Sequence, residues 1–552
     1  MEPKALSLFI IFLLPALICA NPGFWDDMAS DGVVEMMNDE ELIGQVLMLG
    51  YIGSSPSEEF LEWIRVRKIG GVKVFGWNAL DLTALSEGIG QMQQTAAETE
   101  LQIPLFVATD QEGGWVRHVK GETSVSPGNL AIGATGNPRD AFNTGYFLGI
   151  ELKALGINMN FAPTVDVYIH PQNSVIGPRS FSADPITTAV LSVAYFRGLE
   201  KAGIISTAKH FPGHGNTDKD SHGVLPIIED SLEILWNRDL VPYRFLVKEG
   251  LPAIMSGHLS FPLITGDQKP ATLSPVFQQD IIRDRLGFEG VVITDDMQMD
   301  ALRGEGLDLP SASFQALKAG NDMILIRGPS TAQQEVWERL LTELESDDGF
   351  RQRIKEAVQR ILAIKYRYLG ERSVLDLVPI TSDLDKKIPN PNGREFFFDL
   401  SFRSVSIIRN EGGLPLHTLD GKEVLLIGQY SSFIEEGLAR FPDAEQLLIP
   451  SRRLSNSESE SLIRSVDRHD VVILCLADET SLEALKLLED SRHKIGVIST
   501  LTPLYLRETP WVRTAIAVYG TGSASFRAGF AALLGDFTPL GEVPIEVFTE
   551  QR

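Results

Sequence analysis

Eight short apolar, β-rich runs recur through the first 330 residues, and helix-length segments separate them. They are Gln45–Tyr51, Gly71–Gly76, Leu105–Asp110, Asn158–Ala162, Ile204–His210, Ala253–His258, Val291–Asp295 and Met323–Ile326. The intervening stretches, such as Asp140–Leu155 and Pro185–Ala202, are amphipathic. Strands that alternate with helices must pair in parallel, because each crossover returns the chain to the same end of the sheet. Eight such units predict a closed (β/α)8 barrel. Several runs end in polar residues: Asp110, Lys209-His210, Ser256 and His258, and Asp295. In such barrels the carboxyl ends of the strands carry the chemistry, so these residues are the first candidates for a site.

A second, smaller α/β series begins after the helix predicted at Gln352–Leu369. Its runs are Val405–Ile408, Val424–Ile427, Val471–Leu476, Gly496–Ser499, Ala515–Tyr519 and Ile545–Phe548, as in an open sheet flanked by helices. Between the two series, residues 371–396 carry Pro379, Pro389, Pro391 and Gly393 among charges and read as a linker. The expected organisation is therefore a leader at 1–20, a barrel at 21–370, a linker at 371–396 and an α/β sandwich domain at 397–552.

Lys4 followed by the apolar stretch Leu6–Ala20 and the Asn21-Pro22-Gly23 break is too short for a membrane span. It has the form of a secretory signal peptide. An extracytoplasmic location is expected, periplasmic or secreted, with lipid attachment through Cys19 as the second choice. No other segment is long and apolar enough to span a bilayer. A net charge of −25 argues against nucleic acid and anionic membrane as partners, since both are polyanions. Loss of the leader leaves Cys475 as the single cysteine, so neither a disulfide nor a cysteine-based metal site is expected.

The most informative segment is KHFPGHGNTDKDSHGVLP, Lys209 to Pro226. Asp220 and His222 lie two residues apart, a spacing that lets a carboxylate accept a bond from one imidazole nitrogen. That bond orients the ring and raises its basicity, and the other nitrogen is left to exchange a proton. A zinc or iron site built from His210, His214, Asp218, Asp220 and His222 is a competing reading of the same residues. In GVVITDDMQMDAL, Asp295 ends an apolar run at the barrel mouth and the adjacent Asp296 points elsewhere; the competing reading is that Asp295 or Asp296 caps the following helix, which leaves the other free. In PLFVATDQEGGWVRHVKG, Asp110 ends a strand, where its carboxylate can accept bonds from two sugar hydroxyls. Arg179, in IGPRSFSADP, could reach the mouth from its loop.

These motifs, in this order, resemble glycoside hydrolase family 3, and KHFPGHG followed by DSH resembles its β-N-acetylglucosaminidase branch. The SFRAGFAALLGDFTPLGEVPIEVF segment, Ser525 to Phe548, resembles the end of the family's second domain. The resemblance implies a retaining hydrolase with Asp295 as nucleophile, His222 as acid/base and Asp220 as its partner. It also implies that Asp110, Arg179, Lys209 and His210 hold the N-acetylglucosamine unit. The family usually places an arginine eight residues after the DQEGG aspartate. Here that position is His118, preceded by Arg117, so either Arg117 substitutes or the contact is lost. No metal or organic cofactor is implied, and the expected form is a monomer. The expected substrates are β-linked N-acetylglucosamine units of peptidoglycan fragments or chitooligosaccharides. The alternatives are a phosphorylase or a β-glucosidase of the same fold. From another class, an inactive sugar-binding wall protein remains open, as does a metallohydrolase.

Overall fold

A computed structural model of the chain describes residues 32–548 except 304–305, 371–372, 417–420 and 451. The leader expected at 1–20 lies outside the described residues. The eight runs form eight barrel strands: β1 (Leu47–Gly50), β2 (Gly71–Val74), β3 (Phe106–Thr109), β6 (Met159–Asn160), β7 (Ile205–Phe211), β8 (Ala253–Ser256), β9 (Val291–Asp296) and β10 (Met323–Ile326). After β3 the chain forms a small antiparallel hairpin, β4 (Gln111–Gly113) and β5 (Val116–Arg117). The barrel closes through parallel pairing of β1 with β10, and every adjacent strand pair is parallel. All these strands are buried along nearly their whole length, as parallel strands covered by helices must be.

Two helices of the outer ring show how local sequence sets their limits. Helix α1 (Pro138–Ala154) starts with Asn137 accepting a bond from the Arg139 N–H, and α2 (Pro185–Ala202) with Asp184 accepting from Thr187 N–H. Each has proline in its first turn, where the missing N–H costs nothing. Gly203, at φ +81°, ends α2 in the left-handed conformation. Where α1 and α2 cross, Gly145 and Gly198 let the backbones touch. A Cβ on Gly145 would lie 2.2 Å from the Tyr195 carbonyl oxygen, and one on Gly198 would lie 2.0 Å from that of Phe142.

Helix α3 (Asp348–Leu369) completes the barrel ring. The segment expected as a linker is packed rather than extended. It forms short helical turns at Val374–Leu377, Thr381–Asp383 and Leu384–Lys387, and Asn390 N–H donates to Glu151 Oε1 at 2.7 Å. Helix α4 (Pro391–Arg403) then runs across the 396/397 boundary, and its Arg403 makes a two-pronged bond to Asp140 of α1.

The second domain is one six-stranded sheet. Its strands are β11 (Ser406–Asn410), β12 (Val424–Gly428), β13 (Glu445–Leu448), β14 (Val471–Leu476), β15 (Ile495–Thr500) and β16 (Thr514–Tyr519), in the order β11-β16-β15-β14-β12-β13. Only β11 runs antiparallel to its neighbour. Helix α5 (Ser523–Leu534) covers one face with Phe526 and Phe530, and Cys475 is buried beneath them in the same apolar cluster. The Ile545–Phe548 run, expected as a strand, lies as irregular chain along the seam with the barrel. Its neighbour Pro544 offers its carbonyl to Ser182 Oγ at 2.8 Å and to Ala183 N–H at 3.1 Å. Tyr168 Oη and Thr502 Oγ1, 3.1 Å apart, form a hydrogen bond across the same seam. Leu130, Ala131, Ala134 and Tyr168 of the barrel share a core cluster with the second sheet.

Candidate active site

The carboxyl ends of β2, β3, β7, β9 and β10 deliver Lys73, Asp110, Lys209-His210, Asp295 and Arg327 to one cavity of about 390 Å³ at the barrel mouth. Lys209 and His210 both face it across a cis peptide bond. Asp220, Ser221 and His222 come in from the loop after β7, Arg179 from the loop after β6, and His118 from just past β5. Trp77 and Trp115 are partly exposed at the rim, and Trp77 stacks on Phe75 with ring centroids 4.4 Å apart. Every described residue lining the cavity belongs to the barrel domain.

A continuous net of buried charges forms one wall. Asp110 is bridged by Lys73 at 2.7 Å and by Lys209. Lys209 reaches Glu112 at 2.6 Å, and Glu112 takes a two-pronged bond from Arg179 at 2.8 and 2.7 Å. The Arg179 guanidinium also donates to His210 Nε2 at 3.2 Å, which leaves the His210 Nδ1–H to donate to Asp166 at 2.8 Å. Burial pushes the Glu112 carboxyl up, but Arg179 and Lys209 outweigh it and hold it at about 2. Burial likewise opposes ionisation of Asp110, and Lys209 and Lys73 overcome it, so Asp110 stays well below the usual carboxylate range. The wall therefore presents fixed charges with little freedom to rearrange, which suits it to holding polar groups of a ligand in one orientation.

Asp295 faces this wall. Burial raises its carboxyl, but the neighbouring His210 and His258 rings and the Asp296 N–H at 2.8 Å prevail, and it lies below the ordinary aspartate value. It is thus an anion at neutral pH. Asp296 differs in kind: it accepts from Gln298 N–H at 3.1 Å, pairs with Arg327 at 3.4 Å, and burial raises its carboxyl.

The Asp220–His222 bond expected from their spacing is present, with His222 Nδ1 2.7 Å from Asp220 Oδ1. The His222 backbone N–H donates to the same oxygen at 3.0 Å. The bond from the ring nitrogen to Asp220 is the main reason why the imidazole titrates above its free value, with burial opposing and Asp295 adding to the rise. The bond from His222 also pulls Asp220 down to about 2. The His222 side chain is 66% exposed, and its loop is anchored by the hydrogen bond between Ser221 Oγ and His214 Nε2, 3.1 Å apart.

The other histidines and aspartates of that segment disperse. His210 goes to Asp166 and His214 to Ser221, and Asp218 pairs with Lys219 on the surface. Among the described residues no group of three or more His, Cys, Asp or Glu is arranged to hold a metal ion. Arg117 requires a correction. It pairs with Gln111 in the hairpin and does not line the cavity, whereas His118 does. Side chains alternate along extended backbone, so only one of the two neighbours can face the mouth.

Sequence reasoning left Lys73, Glu112 and Asp166 unassigned, and named His258 only as a strand end. Two of them carry a readable signal. Lys73 interrupts an apolar barrel strand with a charge, and Glu112 sits inside the DQEGG motif two residues after Asp110.

Residues 39–364 match the family described as Glycosyl hydrolase family 3 N terminal domain. The chain belongs to glycosyl hydrolase family 3. Within this family it is 31% identical over 418 residues to Beta-hexosaminidase A of Pseudoalteromonas piscicida, covering 69% of each chain. It is 34% identical over 291 residues to Beta-hexosaminidase of Xylella fastidiosa (strain M23), covering 51% of this chain and 84% of that one. The solved structure of a family 3 beta-N-acetylglucosaminidase from Paenibacillus sp. str. FPU-7 superposes with a TM-score of 0.86 at 28% identity, over 93% of this chain and 99% of that one. The two-domain architecture is thus that of a family 3 hydrolase along nearly the whole chain.

Proposed function

We propose that this protein is a retaining β-N-acetylglucosaminidase that removes terminal β-linked N-acetylglucosamine through a covalent glycosyl–enzyme. The observation that carries the reading is that Asp295 and a hydrogen-bonded Asp220–His222 pair line the same cavity, beside a wall of paired charges. Relatives named Beta-hexosaminidase and the Paenibacillus beta-N-acetylglucosaminidase support it.

In the first step an Asp295 carboxylate oxygen bonds to the anomeric carbon as the glycosidic C–O bond breaks. The leaving oxygen takes the proton from His222, and Asp220 stabilises the charged imidazole beforehand. In the second step neutral His222 takes a proton from water, whose oxygen displaces Asp295 from the anomeric carbon. Two inversions leave the product in its original β configuration. The charged wall of Asp110, Lys209, Glu112 and Arg179 holds the sugar's hydroxyl and amide groups. Peptidoglycan fragments or chitooligosaccharides are the proposed source of the sugar. The Leu6–Ala20 run supports an extracytoplasmic location, which fractionation of expressing cells checks.

The test is hydrolysis of an aryl β-N-acetylglucosaminide against the matching β-glucoside, each with and without inorganic phosphate. The expected result is strong preference for the N-acetylated substrate, with free sugar as product in both buffers. A preference for glucoside overturns the substrate, and a sugar 1-phosphate product overturns the hydrolytic second step. Asp295→Asn should abolish turnover, because an amide cannot form the ester, while Asp296→Asn should retain measurable activity. A dead Asp296→Asn beside an active Asp295→Asn would reassign the nucleophile.

A further inference from the structure

Lys73 is the penultimate residue of an otherwise apolar barrel strand, 1% exposed, and the catalytic steps above make no use of it. Its ammonium has three hydrogens, and three acceptors surround it: Asp110 Oδ2 at 2.7 Å, His118 Nδ1 at 3.1 Å and the Val74 carbonyl at 3.0 Å. The faces of Phe75 and Phe161 lie 4.6 and 5.3 Å from the same nitrogen and complete its surroundings. A buried cation with all donors used and aromatic rings on its flanks is fixed in place.

This geometry governs two neighbours that face the cavity. Asp110 has one carboxylate oxygen on Lys73 and the other on Lys209, so its plane is set and its remaining lone pairs are turned to the ligand space. An ammonium can only donate, so His118 Nδ1 must accept from it, and the ring hydrogen of His118 then sits on Nε2. Burial and the Lys73 charge keep that ring neutral, its value lowered to about 4. His118 is therefore a neutral N–H donor beside an acceptor, Asp110, at the position where the family resemblance implies an arginine.

We propose that Lys73 is a positioning residue for sugar recognition: it fixes the Asp110 carboxylate and the His118 tautomer so that the pair binds neighbouring hydroxyls of the non-reducing sugar. Lys73 thereby supplies, from strand β2, the cation absent at position 118. The inference rests on the glycosidase reading above, which the wild-type rate on an aryl β-N-acetylglucosaminide tests separately.

The experiment compares wild type, Lys73→Met, His118→Arg and the Lys73→Met/His118→Arg double variant. Each is assayed on the aryl N-acetylglucosaminide and on its monodeoxy analogues, with thermal melting as a check on folding. Methionine keeps the volume of the lysine stem, and Asp110 retains Lys209. Lys73→Met should raise KM by about 10–100-fold, the scale of one lost charged hydrogen bond, with kcat changed much less. One deoxy analogue that is poor for wild type should be no worse than the parent substrate for Lys73→Met. The double variant should recover at least tenfold of the loss, because the arginine restores a cation to Asp110 from the other side. An unchanged KM in a folded Lys73→Met overturns the proposal. So does an equal loss on every analogue. His118→Arg alone should raise KM, because it sets a second cation against Lys73; if Lys73→Met does not fold, a folded double variant with a KM below that of His118→Arg supports the proposal, and one with a KM as high or higher refutes it.

Discussion

At His222 the proposed proton donor is an imidazole held by one carboxylate and largely open to solvent. Because the bond to Asp220 raises the ring's value, the protonated acid persists to higher pH than a free imidazole would allow. Burial opposes it, but His210 and His258 hold Asp295 below the ordinary aspartate value, so the proposed nucleophile is ionised at mildly acidic pH. The kcat/KM profile should therefore fall on the alkaline side as His222 loses its proton, and on the acid side only as Asp295 gains one. Asp220→Ala should move the alkaline limb to lower pH and leave the acid limb in place; an unmoved alkaline limb would mean that another group sets it. His222→Ala should slow poor leaving groups by about 10²–10⁴-fold and activated aryl groups much less, with glycosyl–enzyme accumulating on the latter. A uniform loss across a leaving-group series, without accumulation, would reduce His222 to a binding role. Glu112 sits among two cations and is almost fully buried, so Glu112→Gln strips Arg179 and Lys209 of a shared anion. Breaking a buried pair from one side costs about 3–5 kcal/mol, and denaturant unfolding should show a loss of that order. A variant as stable as wild type would mean that solvent already screens the pair.

Helices α1 and α2 connect packing to this chemistry. Tyr195 of α2 donates its hydroxyl to the Glu112 carbonyl at 3.0 Å, and the close approach at Gly145 sets how deep α2 sits. Alanine at 145 would gain about 1 kcal/mol in helix propensity, but it would press on a backbone oxygen that cannot swing aside. Gly145→Ala should therefore destabilise the protein, by about 1–3 kcal/mol, and should also lower activity through Glu112. A variant more stable than wild type would show that the helices part freely. The barrel strands were legible in the sequence because each lies in a short, mostly apolar run between helical segments, and only their ends shifted. Strand β13 was missed for the converse reason. Glu445–Leu448 is a mostly exposed edge strand with no apolar run to announce it. Ile545–Phe548 has the alternation of a strand, with Ile545 and Val547 buried, but it closes the seam rather than the sheet. Among the candidate site residues, Asp110 and Asp295 stood out because motif and strand end coincide, and Asp220 and His222 because of their two-residue spacing within one motif. The Glu112–Arg179 bond was not, because its partners stand 67 residues apart and only the closed barrel brings them together.

Across the whole molecule, the second domain contributes no described residue to the cavity, yet it grips the loop that does. Pro544 takes bonds from Ser182 and Ala183, three and four residues after Arg179, and the Ala134 carbonyl accepts from Glu542 N–H at 2.8 Å. Gly133 lies so close to this strap that a Cβ there would sit 1.8 Å from the Phe181 carbonyl oxygen and 3.0 Å from Pro544. With apolar side chains of both domains in one cluster, neither sheet can open without exposing the other. Heating should then produce one cooperative heat-absorption peak in scanning calorimetry instead of two, and enzymatic activity should vanish at the same temperature. Two resolved peaks, with activity surviving the first, would show that the domains melt independently. A single peak has a practical meaning for the working enzyme: damage anywhere in the second sheet, far from any sugar, would be felt as lost turnover.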